Sequence, residues 1–279
     1  MSRVFLCVCA LGVSAGAAED LGGAATATVP DVPAAIAAYD DPEWVLRWGD
    51  EFTEAGRPDP SRWTYEKGLV RNGEAQFYTD RPENIRVLEG SLIITARREP
   101  WEGATCTSAS LTSQGRFSFT GGKAEIRAKV PPGRGTWPAL WTLGDNITTA
   151  GWPACGEIDL MEYVGMHPEL VHFTVHTMAF NHTKQTQRGT RITEPRVWAD
   201  YHRYGLVWTQ SALTWYFDGR PVFAFANDGQ GRDHWPFDQP HYLLMNLAIG
   251  GVWGGQKGID EALFPAELRV DYVRVWQKP

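Results

Sequence analysis

The stretch that most constrains this chain is Cys155-Gly156-Glu157-Ile158-Asp159-Leu160-Met161-Glu162-Tyr163-Val164-Gly165. Three carboxylates fall within six residues, interleaved with Ile158, Leu160 and Met161. An exposed loop has no need of those apolar partners, and a helix would more usually mix in Lys or Arg. The β-branched and aromatic content favours a strand. Successive strand side chains point to opposite faces, so Glu157 and Asp159 share one. Strict alternation puts Glu162 on the other face. A β-bulge near Leu160 or Met161 would bring it back, with Ile158 and its neighbours facing a core.

Like charges crowded onto one patch of sheet raise at least one pKa. Two carboxyls with separated pKa values are what glycosidic bond cleavage requires, one as an ionised nucleophile and one as a protonated acid. A solvated acidic face is the plainer reading of a lone acid pair. This spacing inside an apolar strand favours catalysis.

Composition gives the acids a setting. The 279 residues include 13 Trp, 12 Phe and 9 Tyr among 29 Gly and 18 Pro. Abundant Trp with many turn-formers suits an all-β sandwich whose open face stacks on flat ligands, sugars or bases. A formal charge of −7 counts against nucleic acid, which selects a basic footprint.

Met1 to about Ala18 has the pattern of a secretory signal. Arg3 supplies the n-region, Val4 to Val13 the apolar run, and Ala15-Gly16-Ala17 the small residues of a cleavage site. The run is too short for a membrane span, and an ordinary buried N-terminal strand is the competing reading. A secreted or periplasmic location follows from the signal. Removing it takes Cys7 and Cys9 away and leaves Cys106 and Cys155, either a disulfide or two separate buried thiols. Asn146-Ile147-Thr148 and Asn181-His182-Thr183 match the glycosylation sequon.

Residues 19–41, rich in Ala, Pro, Thr and Gly, suggest a linker or disordered lead-in, with a helical turn at Ala34 to Tyr39. The folded domain is expected over 42–279. Trp44 to Trp48 is the first strand. Ile85 to Val87 and Leu92 to Ala96 flank a hairpin turn, and Ala124, Ile126, Ala128 and Val130 alternate with charged residues. Asp218-Gly219 is a strong hairpin turn, and Leu268 to Trp276 alternates again. No long amphipathic helix, internal repeat or phosphate-binding Gly-rich motif interrupts the pattern. The class is a single antiparallel β-sandwich.

Gly156-Glu157-Ile158-Asp159-Leu160-Met161-Glu162 resembles glycoside hydrolase family 16, and the two residues between Asp and the second Glu resemble its laminarinase, or endo-β-1,3-glucanase, branch. Similar matches run through Asn72 to Thr79, Asp80 to Asn84, Gly135 to Trp141, Val175 to Thr177, Met245 to Gly251 and Val270 to Trp276. The resemblance implies a jelly roll of two curved antiparallel sheets whose concave face forms a glycan cleft. It implies a retaining mechanism in which Glu157 is the nucleophile and Glu162 the general acid, then base. Asp159 would hydrogen-bond the nucleophile. Retention requires the two glutamate carboxyls roughly 5–5.5 Å apart.

By parity Trp137, Ala139 and Trp141 share one face, opposite Pro138, Leu140 and Thr142, so the two indoles form a stacking surface with core packing as the alternative. His172, Thr174 and His176 share a polar face, from which His176 can bond the acid/base or a sugar hydroxyl. Phe173 departs from the family, where a small residue follows the first histidine. The resemblance makes Asn72 a sugar contact toward the non-reducing end, and Trp253 closes over the cleft or caps the core. It also implies a structural calcium held by Asp271, with Gly90 and the segment around Glu51 as partners. No cofactor is expected for catalysis.

The expected protein is a monomeric, secreted endo-β-1,3-glucanase acting on laminarin-type β-glucan, with some tolerance of mixed-linkage β-1,3-1,4-glucan. It would have neither a nucleic-acid partner nor a membrane span. A related hydrolase or transglycosylase on another β-glycan is the alternative within enzymes. A non-catalytic β-glucan recognition protein would not need the paired glutamates, which are intact here.

Overall fold

The computed structural model describes residues 32–279. The signal-sequence reading of residues 1–18 therefore lies outside the described residues, as does most of the linker. In chain order the strands are β1 (Val45–Asp50), β2 (Thr64–Glu66), β3 (Gln76–Tyr78), β4 (Ile85–Leu88), β5 (Ser91–Ala96), β6 (Cys106–Ser108), β7 (Ser110–Thr112), β8 (Gly122–Lys129) and β9 (Thr136–Gly144). They continue as β10 (Glu157–Glu162), β11 (Leu170–His176), β12 (Arg188–Thr193), β13 (His202–Trp208), β14 (Ala212–Phe217), β15 (Arg220–Ala226), β16 (His241–Ile249) and β17 (Ala266–Gln277). Among the described residues three short α-helices accompany them: α1 (Val32–Tyr39), α2 (Ile147–Ala150) and α3 (Gly251–Gly254).

Two antiparallel sheets form the sandwich. One runs β15-β14-β13-β8-β17-β5-β4, with β1 also paired to β17; the other runs β12-β11-β10-β9-β16-β7-β2. Period-two alternation explains the layer between them: Ala124, Ile126 and Ala128 of β8 meet Ile158, Leu160 and Met161 of β10 and Leu243, Met245 and Leu247 of β16 in one buried cluster. The Asp218-Gly219 hairpin forms as the dipeptide dictates, with both residues at positive φ (50° and 79°). β3 and β6 add a small parallel pair that the pattern did not announce.

The folded domain takes in residues before Pro42. Helix α1 lies against the outer face of the first sheet, where Ala35 and Tyr39 pack with Val207 and Tyr216. The Tyr216 hydroxyl donates to the Ala35 carbonyl at 2.8 Å, and the Tyr39 hydroxyl donates to Glu125. Gly205 makes room for the Tyr39 ring, since a Cβ there would come within 2.7 Å of it. The helical turn expected at Ala34 to Tyr39 is present as part of this helix, whose stability comes from docking rather than from its own periodicity.

Cys106 and Cys155 are separate buried thiols. Asn181 is 1 % exposed and its amide nitrogen donates to the carbonyls of Thr177 and Met178, so that sequon is closed to a glycan.

The bulge demanded by Glu162 is present. Against β9, Asp159 pairs with Trp141 and Met161 with Leu140, leaving Leu160 as the extra residue. Against β11 the register shifts between Asp159 and Glu162. At this irregularity the Asp159 carbonyl accepts a 2.8 Å hydrogen bond from the indole of Trp215, a fully buried residue of β14 in the opposite sheet. The core thereby satisfies a backbone group at the break in the ladder. Trp215→Phe is expected to destabilise the fold by about 1–3 kcal/mol for the orphaned carbonyl, with a cavity cost added. Urea unfolding of both forms measures it; unchanged midpoint and slope would remove Trp215 from this role.

Candidate active site

The bulge places Glu157, Asp159 and Glu162 on the outer face of the second sheet, each opposite a residue of β11: His176, Thr174 and His172 respectively. Across the other edge of β10, β9 presents Trp141 opposite Asp159 and Ala139 opposite Glu162. Leu140 lies in the inter-sheet core, whereas Ala139 and Trp141 belong to a second cluster with Leu143, Tyr242 and Leu244. The parity reading of this strand is correct.

Each glutamate receives an indole N–H. Trp152 Nε1 donates to Glu157 Oε2 at 2.8 Å, and Trp137 Nε1 donates to Glu162 Oε1 at 3.1 Å. Trp253, on α3, meets Trp137 edge-on at 5.5 Å between ring centroids and His172 at 4.9 Å. It therefore reaches residues on both sides of the catalytic strand, as a side wall at the Glu162 end. Trp152 plays the matching part at the Glu157 end, packed with His176 and His182. The sequence reading passed over Trp152; its signal was a tryptophan five residues before the first acid, in a Trp-Pro turn leading into the strand.

Trp141 is 6 % exposed. Its indole donates to Asn246 Oδ1 at 2.8 Å, and the Arg71 guanidinium lies 4.9 Å from its ring centroid. It is thus held firmly in the floor and offers little free face for stacking. Asn246 Nδ2 donates to the Tyr78 hydroxyl (3.1 Å), which donates to Glu74 Oε2 (3.2 Å). Glu74 also accepts from Gln76 at 2.6 Å and from the Asn72 amide at 3.2 Å. Asn72 is exposed, at φ 57°, and its carbonyl accepts from Val252 N at 3.0 Å, which ties its loop to the one carrying Trp253. Asn72, Trp137, Trp141 and Trp253 thus lie on one side of the acids or beside them, and His176 on the other.

Burial governs the electrostatics. It raises Glu157 to about 8, with the charge of Glu162 adding, and raises Glu162 to about 7. Asp159 is raised well above the usual carboxylate range by burial, then by the charges of Glu157 and Glu162. The hydrogen bond between Asp159 and Glu157 lowers Glu157 and raises Asp159, as when a protonated Asp159 donates to an ionised Glu157. Taken singly the two glutamates rank in the opposite order from the one a Glu157 nucleophile needs. They titrate as a pair, however, and donors decide where the remaining charge rests. Glu157 has two, Trp152 and Asp159; Glu162 has Trp137 alone.

His176 Nε2 is 3.5 Å from Asp159 Oδ2 and 3.8 Å from Glu157 Oε1. Burial, and secondarily His182, lowers His176 to about 3, so it is a neutral neighbour and these distances are contacts rather than ion pairs. Glu157, Asp159 and His176 are also the one trio among the described residues whose ligand atoms lie close enough together, within 4.8 Å, to share a cation.

The calcium expectation fits less well. The Asp271 carboxylate accepts from Arg127, and Glu51 makes a two-pronged pair with Arg274 at 2.7 and 2.8 Å. Gly90 serves the β4–β5 turn at φ 71°. The Asp271 carboxylate, the one acid of the expected set, is thus committed to Arg127 as placed, while Gly90 and the Glu51 segment would enter that set through backbone carbonyls.

A bulged strand with two glutamates and an intervening aspartate on the open face of a β-sandwich defines a carboxylate-pair glycoside hydrolase site. The chain belongs to glycoside hydrolase family 16: the family model "Glycosyl hydrolases family 16" matches residues 62–274. It is 50 % identical over 246 residues to a beta-glucanase of Rhodothermus marinus, covering 85 % of this chain and 86 % of that one. The crystal structure of the Rhodothermus marinus laminarinase superposes with a TM-score of 0.83 at 49 % identity, over 85 % of this chain and 98 % of that one. SCLam, a non-specific endo-β-1,3(4)-glucanase solved with 1,3-β-D-cellotriosyl-glucose, gives a TM-score of 0.81 at 43 % identity, over 84 % and 95 % of the two chains. The fold is the laminarinase jelly roll.

Asp159 offers a direct test of the charge assignment. Asp159→Ala removes a donor to Glu157, raises the Glu157 pKa, and moves the acidic limb of the kcat/KM profile to higher pH. Asp159→Asn keeps an N–H donor and a neutral group, and leaves that limb close to wild type. If Asp159 were ionised in the active form, Asn would instead remove a negative charge and shift the limb to lower pH.

Proposed function

We propose that this protein is a retaining endo-β-1,3-glucanase that cleaves laminarin-type β-glucan by double displacement. The observation that carries the mechanism is the shared face of Glu157, Asp159 and Glu162, with two hydrogen-bond donors on Glu157 and one on Glu162. The substrate assignment rests on likeness to the Rhodothermus marinus laminarinase across nearly the whole folded chain.

Glu157, held ionised by Trp152 and Asp159, attacks the anomeric carbon. Glu162 gives its proton to the departing glycosidic oxygen. The bond to that oxygen breaks as the ester to Glu157 forms. Glu162, now ionised, takes a proton from water, which attacks the anomeric carbon and releases Glu157. Configuration is retained after two inversions. His176, neutral and buried against Glu157 and Asp159, adds no charge to the patch. Glu162 must be protonated for the first step, so activity falls as pH rises through its raised pKa.

The mixed-linkage ligand bound by SCLam supports a tolerance of β-1,3-1,4-glucan as part of the same proposal. An extracellular or periplasmic working place is a further part of the proposal, on the sequence pattern of residues 1–18. The intact pair of glutamates argues against a purely glucan-binding role.

Glu157→Gln is expected to cut laminarin hydrolysis by roughly 10²–10⁴-fold or more, followed as reducing ends, with the β-anomer released first by wild type. An inverted first product would overturn the mechanism, and intact laminarin after incubation with wild type would overturn the substrate. Sodium azide separates the two roles. With an activated β-glycosyl donor, Glu162→Ala should yield the β-glycosyl azide, because the anion enters where the base stood; Glu157→Ala should yield no β-azide.

A further inference from the structure

The two sides of the catalytic strand differ in how far the protein satisfies its own polar groups. On the β9–β16 side, Trp141, Asn246, Tyr78, Glu74 and Asn72 form a continuous hydrogen-bonded chain. On the β11 side, Asp159 Oδ2, His176 Nδ1 and His172 Nε2 are buried and have no hydrogen-bond partner in the protein. Buried polar atoms in native structures nearly always find one. Three unpartnered atoms lie together along the β10–β11 seam, while on the other side Arg71 Nη1, beside Trp141, is also without a partner.

His172 is the member the mechanism does not use. It stands opposite Glu162 in the antiparallel ladder, so both side chains rise from the same face. It is 8 % exposed, and its ring contacts Trp253 without a hydrogen bond. Burial, then the charges of Arg191 and His167, lowers it to about 4, so its ring is neutral, with one nitrogen donating and one accepting.

We propose that His172 contacts the sugar on the leaving-group side of the cleft, hydrogen-bonding through Nε2 the unit that departs with the Glu162 proton and the acceptor that takes its place. The inference rests on the glucanase reading above, with Asn72 and the β9–β16 side holding the non-reducing end. A polysaccharide crossing the strands then meets Asn72 and Trp137, the acids, and β11 in that order. In transfer, an acceptor hydroxyl on this arm gives its proton to Glu162 while its oxygen attacks the anomeric carbon. The ester to Glu157 breaks and a new glycosidic bond forms.

The partition of the glycosyl-enzyme isolates this contact. Water and an acceptor sugar both need Glu162 as base, so the ratio of transfer to hydrolysis cancels any effect on that residue. The measurement uses β-laminaribiosyl fluoride as donor and laminaribiose as acceptor. His172→Phe keeps the ring packed against Trp253 and is expected to lower the ratio roughly 3- to 10-fold, the worth of one neutral hydrogen bond; His172→Gln should recover part of it. A second measurement uses kcat/KM on laminarin against phenyl β-laminaribioside, both of which need the proton while only the first has a leaving sugar. The variant should lose more on laminarin. An unchanged partition ratio, or equal losses on the two substrates, would overturn the proposal and leave His172 as support for Trp253. Wild type inert on every substrate would instead overturn the glucanase reading itself.

Discussion

The site depends on one extra residue in one strand. Without the bulge at Leu160, Glu162 would point into the inter-sheet core and the acidic face would hold a nucleophile with no acid. A bulge weakens its own strand, because it breaks the ladder on both edges of β10. The structure compensates from inside: Trp215 of the opposite sheet crosses the core to the Asp159 carbonyl, and Ile158, Leu160 and Met161 anchor the strand below. The catalytic register is therefore a property of how the two sheets pack, and reaches β14, more than fifty residues further along the chain.

Burying three carboxyls in one patch would be prohibitive if all had to carry charge. The site carries less. Burial and the charges of Glu157 and Glu162 push Asp159 well above the usual carboxylate range, which favours its neutral form over a third negative charge. The contacts to the two glutamates come from indole N–H groups, not from cations. That choice has a chemical reason: a guanidinium paired to Glu162 would hold it ionised and remove the acid. The nearby cation, Arg71, is directed to Glu66 and to the face of Trp141.

Much of this was legible in the sequence because strand parity is a strict rule. The acid face, the need for a bulge, the Trp137 and Trp141 face and the polar face of β11 all follow from counting residues by twos. What escaped belongs to distance rather than pattern. Trp152 reaches Glu157 from a turn outside any alternation, and Trp215 reaches Asp159 from another sheet. Nothing local marks Trp215, and Trp152 is marked only by its Trp-Pro turn five residues before the first acid. The docking of helix α1 escaped because its Ala-rich segment has no strong stripe of its own, and its partners Val207 and Tyr216 are some 170 residues away. Trp141 was placed on the correct face, yet its role changed: the hydrogen bond to Asn246 and the cover of Arg71 make it a fixed floor.

The contrast between the two arms also bears on how a cleft of this kind divides its work. The Trp141–Asn246–Tyr78–Glu74 chain is complete before any sugar arrives, so the cost of ordering those groups is met during folding and does not recur on binding. On the proposed function, such an arm suits the glycosyl unit that stays attached to Glu157 through both displacements. The β11 arm, in the role proposed for it, would first hold one sugar, release it, and then admit water or another. Tight, fully satisfied contacts there would stabilise the bound leaving group as well as the transition state, and slow the exchange on which the second step depends. Few polar groups, neutral and individually modest, suit a position whose occupant changes in mid-reaction. Charge neutrality at His172 and His176 serves the same end, because an imidazolium beside Glu162 would favour its ionised form and oppose the protonation on which the first step relies.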